Sequence, residues 1–290
     1  MRALTIRPVL LATFTLAACT VTPDPAAGGG GGTNGTLYVN IGTRASVFAL
    51  DLGSGAAAKL GDGSDPCLTP EGTLLVDDGN NIFETDTTFA MHRVFLTFNS
   101  DLERSNNGFH DYQLSRDGKR IAYITNDRFM YVANRSDGAV TARFEPPGVT
   151  DAWDRPSWTP DGRIVAAGGF GNPGLFLSDV GLTKMTRFDQ NLARPTMPAI
   201  SPDGTKVAFI LNQRVHVVKL DGTGFTRLDP GDTEDLYPTW SPDGTQIAYR
   251  VSGRIKIMPA AGGAAFDLFD RFPDVAAQYF IFSGRQFAWK

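Results

Sequence analysis

Three histidines, two cysteines and a recurring set of aspartates carry most of the chemistry this sequence could perform. A histidine metal centre needs several imidazoles converging on one point. Only His92, His110 and His216 are available. Their places in the repeat set out below put His92 and His216 on third strands, away from a common axis. His110 falls just ahead of a first strand, near a channel mouth. A three-histidine site is therefore not expected, and neither is a cofactor, although a carboxylate Ca²⁺ site near the axis stays open. Asp117, Asp161, Asp203 and Asp243 each precede a glycine (Gly118, Gly162, Gly204, Gly244) at constant register. A catalytic acid or base is needed once, so this recurrence points to a role in turns. The sequence holds neither a Gly-x-Ser-x-Gly nucleophile elbow nor a Gly-x-x-x-x-Gly-Lys-Ser/Thr phosphate loop.

The first residues read as an export address. Arg2 and Arg7 flank the start of a short apolar run, Val9 to Ala18, shorter than the roughly 20 residues of a membrane-spanning helix. Small residues then lead to a cleavage point. Leu16-Ala17-Ala18-Cys19 resembles the bacterial lipobox. That resemblance implies cleavage before Cys19, a diacylglyceryl thioether on its sulfur and acylation of the new amine. Several acyl chains anchor stably where one binds only marginally. Residues 1–18 are thus expected to be a lipoprotein signal peptide. Residues 19–34 would be the lipidated cysteine and a flexible tether, because the run Gly28 to Gly32 cannot pack a core. Thr20 stands where Asp tends to retain such lipoproteins in the inner membrane, which favours the outer membrane, at its periplasmic face or the cell surface. With Cys19 acylated, Cys67 has no disulfide partner. No His or Lys adjoins it, and it reads as a small buried residue on a strand.

The formal charge is −4 over 290 residues. Loss of Arg2 and Arg7 with the signal would take it to about −6. An acidic chain argues against nucleic acid, whose phosphates need basic patches, and against a polybasic membrane contact. The lipid bilayer is expected to be met only through Cys19.

One unit recurs along residues 35–290. Ser201-Pro202-Asp203-Gly204-Thr205-Lys206-Val207-Ala208-Phe209 is matched by Ser241-Pro242-Asp243-Gly244-Thr245-Gln246-Ile247-Ala248-Tyr249. Further copies begin at Ser115 and Thr159, a weaker one at Thr69, and a degenerate one runs from Ser283 to Trp289. Their glycines stand at 72, 118, 162, 204, 244 and 284, a spacing that marks a repeat fold. Pro presets the first turn dihedral, Asp bonds its own backbone and Gly takes the positive φ that closes the loop. A large apolar residue precedes each turn: Leu68, Leu114, Trp158, Ile200, Trp240 and Phe280. Trp158 and Trp240 read as core. Alternation of period two continues through a third strand, and a Gly-rich turn leads to a fourth. Four short antiparallel strands in some 40 residues make a propeller blade. The alanines at 122, 208, 248 and 288 would let blades approach closely.

The unit resembles the propeller repeat of TolB and its relatives, with Trp240 to Gly244 and Trp158 to Gly162 the closest matches. The resemblance covers residues 35–290 and implies an all-β, six-bladed propeller of four-stranded antiparallel blades. The lipobox, and the lack of room for an α/β domain ahead of the propeller, depart from TolB, so its partners are not carried over. The stretch Leu37 to Leu60 lacks a first strand, so both chain ends are expected to share a blade. Gln278 to Phe282 is expected to supply that strand, with Phe287 to Lys290 competing with Leu37 to Asn40 for the second place.

Loops on a rigid scaffold are where binding is usually placed. The loops entering each first strand therefore supply a candidate rim: His110, Asp111, Trp153, Asp154, Arg155, Arg194, Glu234, Asp235 and Tyr237. The reading is a monomeric, envelope-anchored lipoprotein whose propeller binds a protein or a glycan without catalysis. A Ca²⁺-assisted hydrolase or lyase acting on envelope or extracellular carbohydrate is the alternative.

Overall fold

The computed structural model describes residues 35–41, 46–78, 81–90, 92–97, 110–125, 127–148, 152–169, 171–228, 231, 234–278 and 287–290. Cys19, with the expected signal peptide and tether over residues 1–34, lies outside the described residues. Six four-stranded antiparallel sheets stand in a ring, an all-β, six-bladed propeller. The inner strands, each touching the next around a closed circle, are Ala288–Trp289, Ser64–Leu68, His110–Leu114, Trp153–Trp158, Thr196–Ile200 and Asp235–Trp240, in first to sixth blades.

Why these residues form blades is clear in the fifth. Its second strand, Lys206–Leu211, is buried continuously after Lys206, with successive side chains on opposite faces. Val207 and Phe209 pack with Val165 and Leu175 of the fourth blade. Ala208 and Ile210 pack with Trp240 and Tyr249 of the sixth. A strand buried on both faces needs apolar residues at nearly every position, each contributing about 1.5–3 kcal/mol on full burial. Ala122, Ala208 and Ala248 are fully buried at matched positions, each in a cluster with the blade that follows.

The ring closes within the first blade. Ala288 and Trp289 pair with Tyr38 and Leu37, and Thr36 and Lys290 exchange two backbone hydrogen bonds of 2.9 Å. Both chain ends therefore share a blade. The assignment of the closing strand needs correction. Gln278 ends a short helix, Pro273–Gln278, and residues 279–282 lie outside the described residues. The Ser283–Trp289 copy does not place Phe287-Ala288-Trp289 on a second strand. Trp289 faces Leu37 as Trp158 faces Ile164 and Trp240 faces Ile247, which makes Ala288–Trp289 the inner strand. A 3₁₀ turn, Leu268–Arg271, and the short helix strap the sixth blade to the first. Leu268, Phe269, Phe272 and Val275 join the first-blade core, and Arg271 Nη1 donates to the Leu52 carbonyl at 2.9 Å.

The histidines stay apart in the blades. His216 is on a third strand, buried, and stacked on Phe209 and Phe225. His92 begins the fourth, outermost strand of the second blade rather than a third. His110 opens the inner strand of the third blade.

Candidate functional site

Each inner strand has two distinct ends. At one end the Ser-x-Asp-Gly turn satisfies itself. Ser115, Ser201 and Ser241 donate to Asp117, Asp203 and Asp243 at 2.5–2.6 Å, and each accepts the N–H of Arg120, Lys206 or Gln246 at 2.9 Å. Thr159 makes the same pair with Asp161. The glycine N–H closes on the Ser or Thr carbonyl, with φ between +69° and +86° at Gly72, Gly118, Gly162, Gly204 and Gly244. Hydroxyl donation holds the carboxyls of Asp117, Asp203 and Asp243 below their ordinary value; at Asp161 the Arg163 guanidinium leads.

At the other end the strand breaks register. In the second to sixth blades the pairing slips over two residues: Asp65-Pro66, Asp111-Tyr112, Arg155-Pro156, Met197-Pro198 and Tyr237-Pro238. The first of each pair has φ of 44–55°. This is the left-handed region that side chains other than Asn, Asp and Gly avoid. The proline, lacking an N–H, suits a position that leaves the ladder. Tyr112 replaces it once and sends its hydroxyl to the Asp65 carbonyl at 2.6 Å. Neighbouring blades hold these strained backbones: Asp65 N–H donates to Asn40 at 2.7 Å, and Met197 N–H to Asp154 at 2.8 Å.

This frame sorts the rim candidates. Arg194 and Glu234 are exposed, both at positive φ. Trp153 and Asp235, expected on the rim, are interior. Trp153 donates its indole N–H to the Glu145 carbonyl at 3.0 Å and packs edge-on against Phe176. Asp235 is 0 % exposed and accepts the Val215 N–H at 3.2 Å, joining the sixth blade to the fifth. Asp154 is committed to Met197. The side chain of His110 lies outside the described residues. The structure brings together Asp111, Arg155 and Tyr237, and it adds Asp65, which the sequence reading passed over. Arg155 is 3 % exposed, with its guanidinium 5.6 Å from the Tyr237 ring centroid. Burial pulls it below the usual guanidinium value, while the charges of Asp111, Tyr237, Asp154 and Asp65 act the other way. An arginine stays protonated under such a shift.

On the turn side of Arg155 the six inner strands enclose a cavity of about 400 Å³. Trp158, Trp240 and Trp289 are among its walls. The first two are core residues as well, donating to the Gln113 and Ala199 carbonyls of preceding blades at 3.0 and 2.9 Å. Cys67 also lines it, its thiol pushed up to about 11 by burial. Arg116 stands at the mouth and reaches from the third blade to the Ser201 carbonyl of the fifth, at 3.1 Å. The sequence reading missed Arg116. The signal was its place: it occupies the turn position that is proline in four other copies. Among the described residues no three His, Cys, Asp or Glu side chains cluster as metal ligands, and no helix is long and apolar enough to cross a membrane.

No protein-family model matches the sequence, and no curated protein matches it. Solved structures do. TolB from Acinetobacter baumannii superposes with a TM-score of 0.68 at 18 % identity, over 89 % of this chain and 67 % of that one. A TolB from Agrobacterium tumefaciens gives 0.62 at 18 % identity, over 82 % and 90 %. An oligogalacturonate lyase in complex with manganese gives 0.55 at 14 % identity, over 76 % and 69 %.

Proposed function

We propose, from the premise that residues 35–290 form a TolB-like propeller, that this protein is a binding scaffold of the bacterial cell envelope. Acylated Cys19 anchors it, the glycine tether spaces it from the bilayer, and the propeller engages an envelope protein or glycan without catalysis, as a monomer. The absence of Asp after the lipobox cysteine favours the outer membrane. One observation carries the binding reading: five blades hold the same positive-φ backbone at the same place, yet present four kinds of side chain, Asp65 and Asp111, Arg155, Met197 and Tyr237. Strain kept while chemistry varies is the mark of a positioned recognition surface.

Photo-crosslinking in cells tests this. A photoreactive residue at Arg194 or Glu234 should give a discrete adduct that weakens when Asp111→Asn and Tyr237→Ala are combined. The same probe at Val180, exposed on the fourth blade, should give none. Adducts that are equal at all three sites, or that survive the double variant, count against the scaffold. Mass analysis of the mature N-terminus checks the lipid: an unmodified Cys19 removes the anchor. Stoichiometric, chelator-sensitive Ca²⁺ in the purified protein would replace this reading with the carbohydrate hydrolase or lyase.

A further inference from the structure

The turn-side cavity has an uneven chemistry. Its walls are mostly proline, aliphatic and tryptophan side chains, with a few small hydroxyls. Among the described residues, Arg116 and Arg155 are the two charged side chains that line it, and no carboxylate does. Asp65 and Asp111, whose charges act on Arg155, are not among the lining residues. Among the described residues, Nη1 of Arg155, Oγ1 of Thr239 and Nε1 of Trp289 are buried without a hydrogen-bond partner. All three residues line this cavity. A buried donor left unpaired costs about 1–3 kcal/mol, more when charged. Such groups recur where a ligand completes them.

We infer that this cavity binds an organic carboxylate, its anionic group on Arg155 and its apolar body against the tryptophan and proline walls, with Arg116 as a second cation at the mouth. The guanidinium fork matches a carboxylate with two parallel hydrogen bonds. Nη1 of that fork has no hydrogen-bond partner among the described residues, which leaves it as a donor for the ligand. A volume of about 400 Å³ suits a small molecule. The tryptophan and proline side chains in the walls offer an organic acid apolar contacts that an inorganic anion cannot use. Arg116 is where it is because its turn lacks proline. In the fourth and fifth blades the proline of one turn lies against the glycine of the next, Pro160 on Gly204 and Pro202 on Gly244. Arg116 instead crosses to the fifth blade.

This site deepens the scaffold reading by naming a ligand class, and the two fail separately. Calorimetric titration of the purified full-length protein with benzoate, glutarate and the neutral isostere benzamide tests it. Benzoate or glutarate should bind saturably, and benzamide about tenfold or more weaker. Arg155→Gln should weaken the carboxylate about tenfold, and Arg155→Lys, which keeps the charge without the fork, should not restore it. Arg116→Pro, which installs the residue of the sister turns and so preserves folding, should weaken binding severalfold. Benzoate and benzamide binding alike, or no saturable carboxylate binding up to about 10 mM, overturns the site. So does a folded Arg155→Gln or Arg116→Pro protein that binds as the parent does. Capture of an envelope partner alongside any of those results would leave the scaffold standing and remove only the carboxylate.

Discussion

The two ends of an inner strand obey opposite rules. At the turn end, backbone and side chains both recur: Ser or Thr, then Asp, then Gly, bonded to one another and needing nothing else. At the bulge end only the backbone recurs. Asp65, Asp111, Arg155, Met197 and Tyr237 share a dihedral and almost no chemistry. The first end holds the blade together. The second uses that rigidity to hold unlike groups around one axis. A repeat thus states where its structure lies by what it keeps, and where its individuality lies by what it keeps only in shape.

The largest expected effect tests whether a turn must be continuous at all. In the first blade no turn joins Trp289 to Leu37, and strand pairing and packing hold it there. Trp289→Ala and Trp240→Ala should each cost about 3–5 kcal/mol in denaturant unfolding, with Trp289→Ala the larger because it loosens ring closure. A loss below about 1 kcal/mol at Trp289 would mean that closure is unimportant.

Next comes a matched pair of substitutions. Gly204→Ala puts a Cβ at φ +75° and 2.6 Å from Pro160 Cδ, and should cost about 1–3 kcal/mol. Asp111→Gly relieves a positive φ and should move stability by no more than about 0.5 kcal/mol. Equal losses would erase the distinction between the ends.

Acid should act on the turn end. The depressed Asp117, Asp161, Asp203 and Asp243 contribute stability that is complete above the unfolded value near 3.8 and is lost as pH falls through their lower folded values. Thermal melts from about pH 5 to pH 2 should fall most steeply below about 4. Combined Asp203→Asn and Asp243→Asn should flatten that slope, and an unchanged slope would assign acid sensitivity elsewhere. Each exposed group contributes modestly. A small effect of opposite sign is Arg116→Pro, expected to stabilise by about 0.4–1 kcal/mol by restricting the unfolded chain. A lowered melting temperature would show that the Arg116–Ser201 bridge outweighs that gain.

Blade count, strand order and the self-contained turns follow from local pattern, so the sequence carried them openly. Ring closure does not. Phe287-Ala288-Trp289 has the same apolar–alanine–aromatic pattern as Ile247-Ala248-Tyr249, and only long-range pairing with Leu37 makes it an inner strand. The bulges were written as Asp65-Pro66, Arg155-Pro156, Met197-Pro198 and Tyr237-Pro238, three places before each large apolar residue. An X-Pro pair alone does not reveal a positive φ, so Arg155 and Tyr237 looked like loop residues beside Trp153 and Asp235. Trp153 sits two positions before Arg155 and Asp235 two before Tyr237, both still paired ahead of the slip, and the slip decides interior from axis.

The pairing of Thr36 with Lys290 and of Leu37 with Trp289 also bears on biogenesis. A chain made from its N-terminus carries an unsealed first blade until Ala288 and Trp289 are added, with the edge at Leu37 and Tyr38 open to proteases and to stray strands. A chain truncated before that point lacks the inner strand of its first blade and should be degraded faster than the full-length protein.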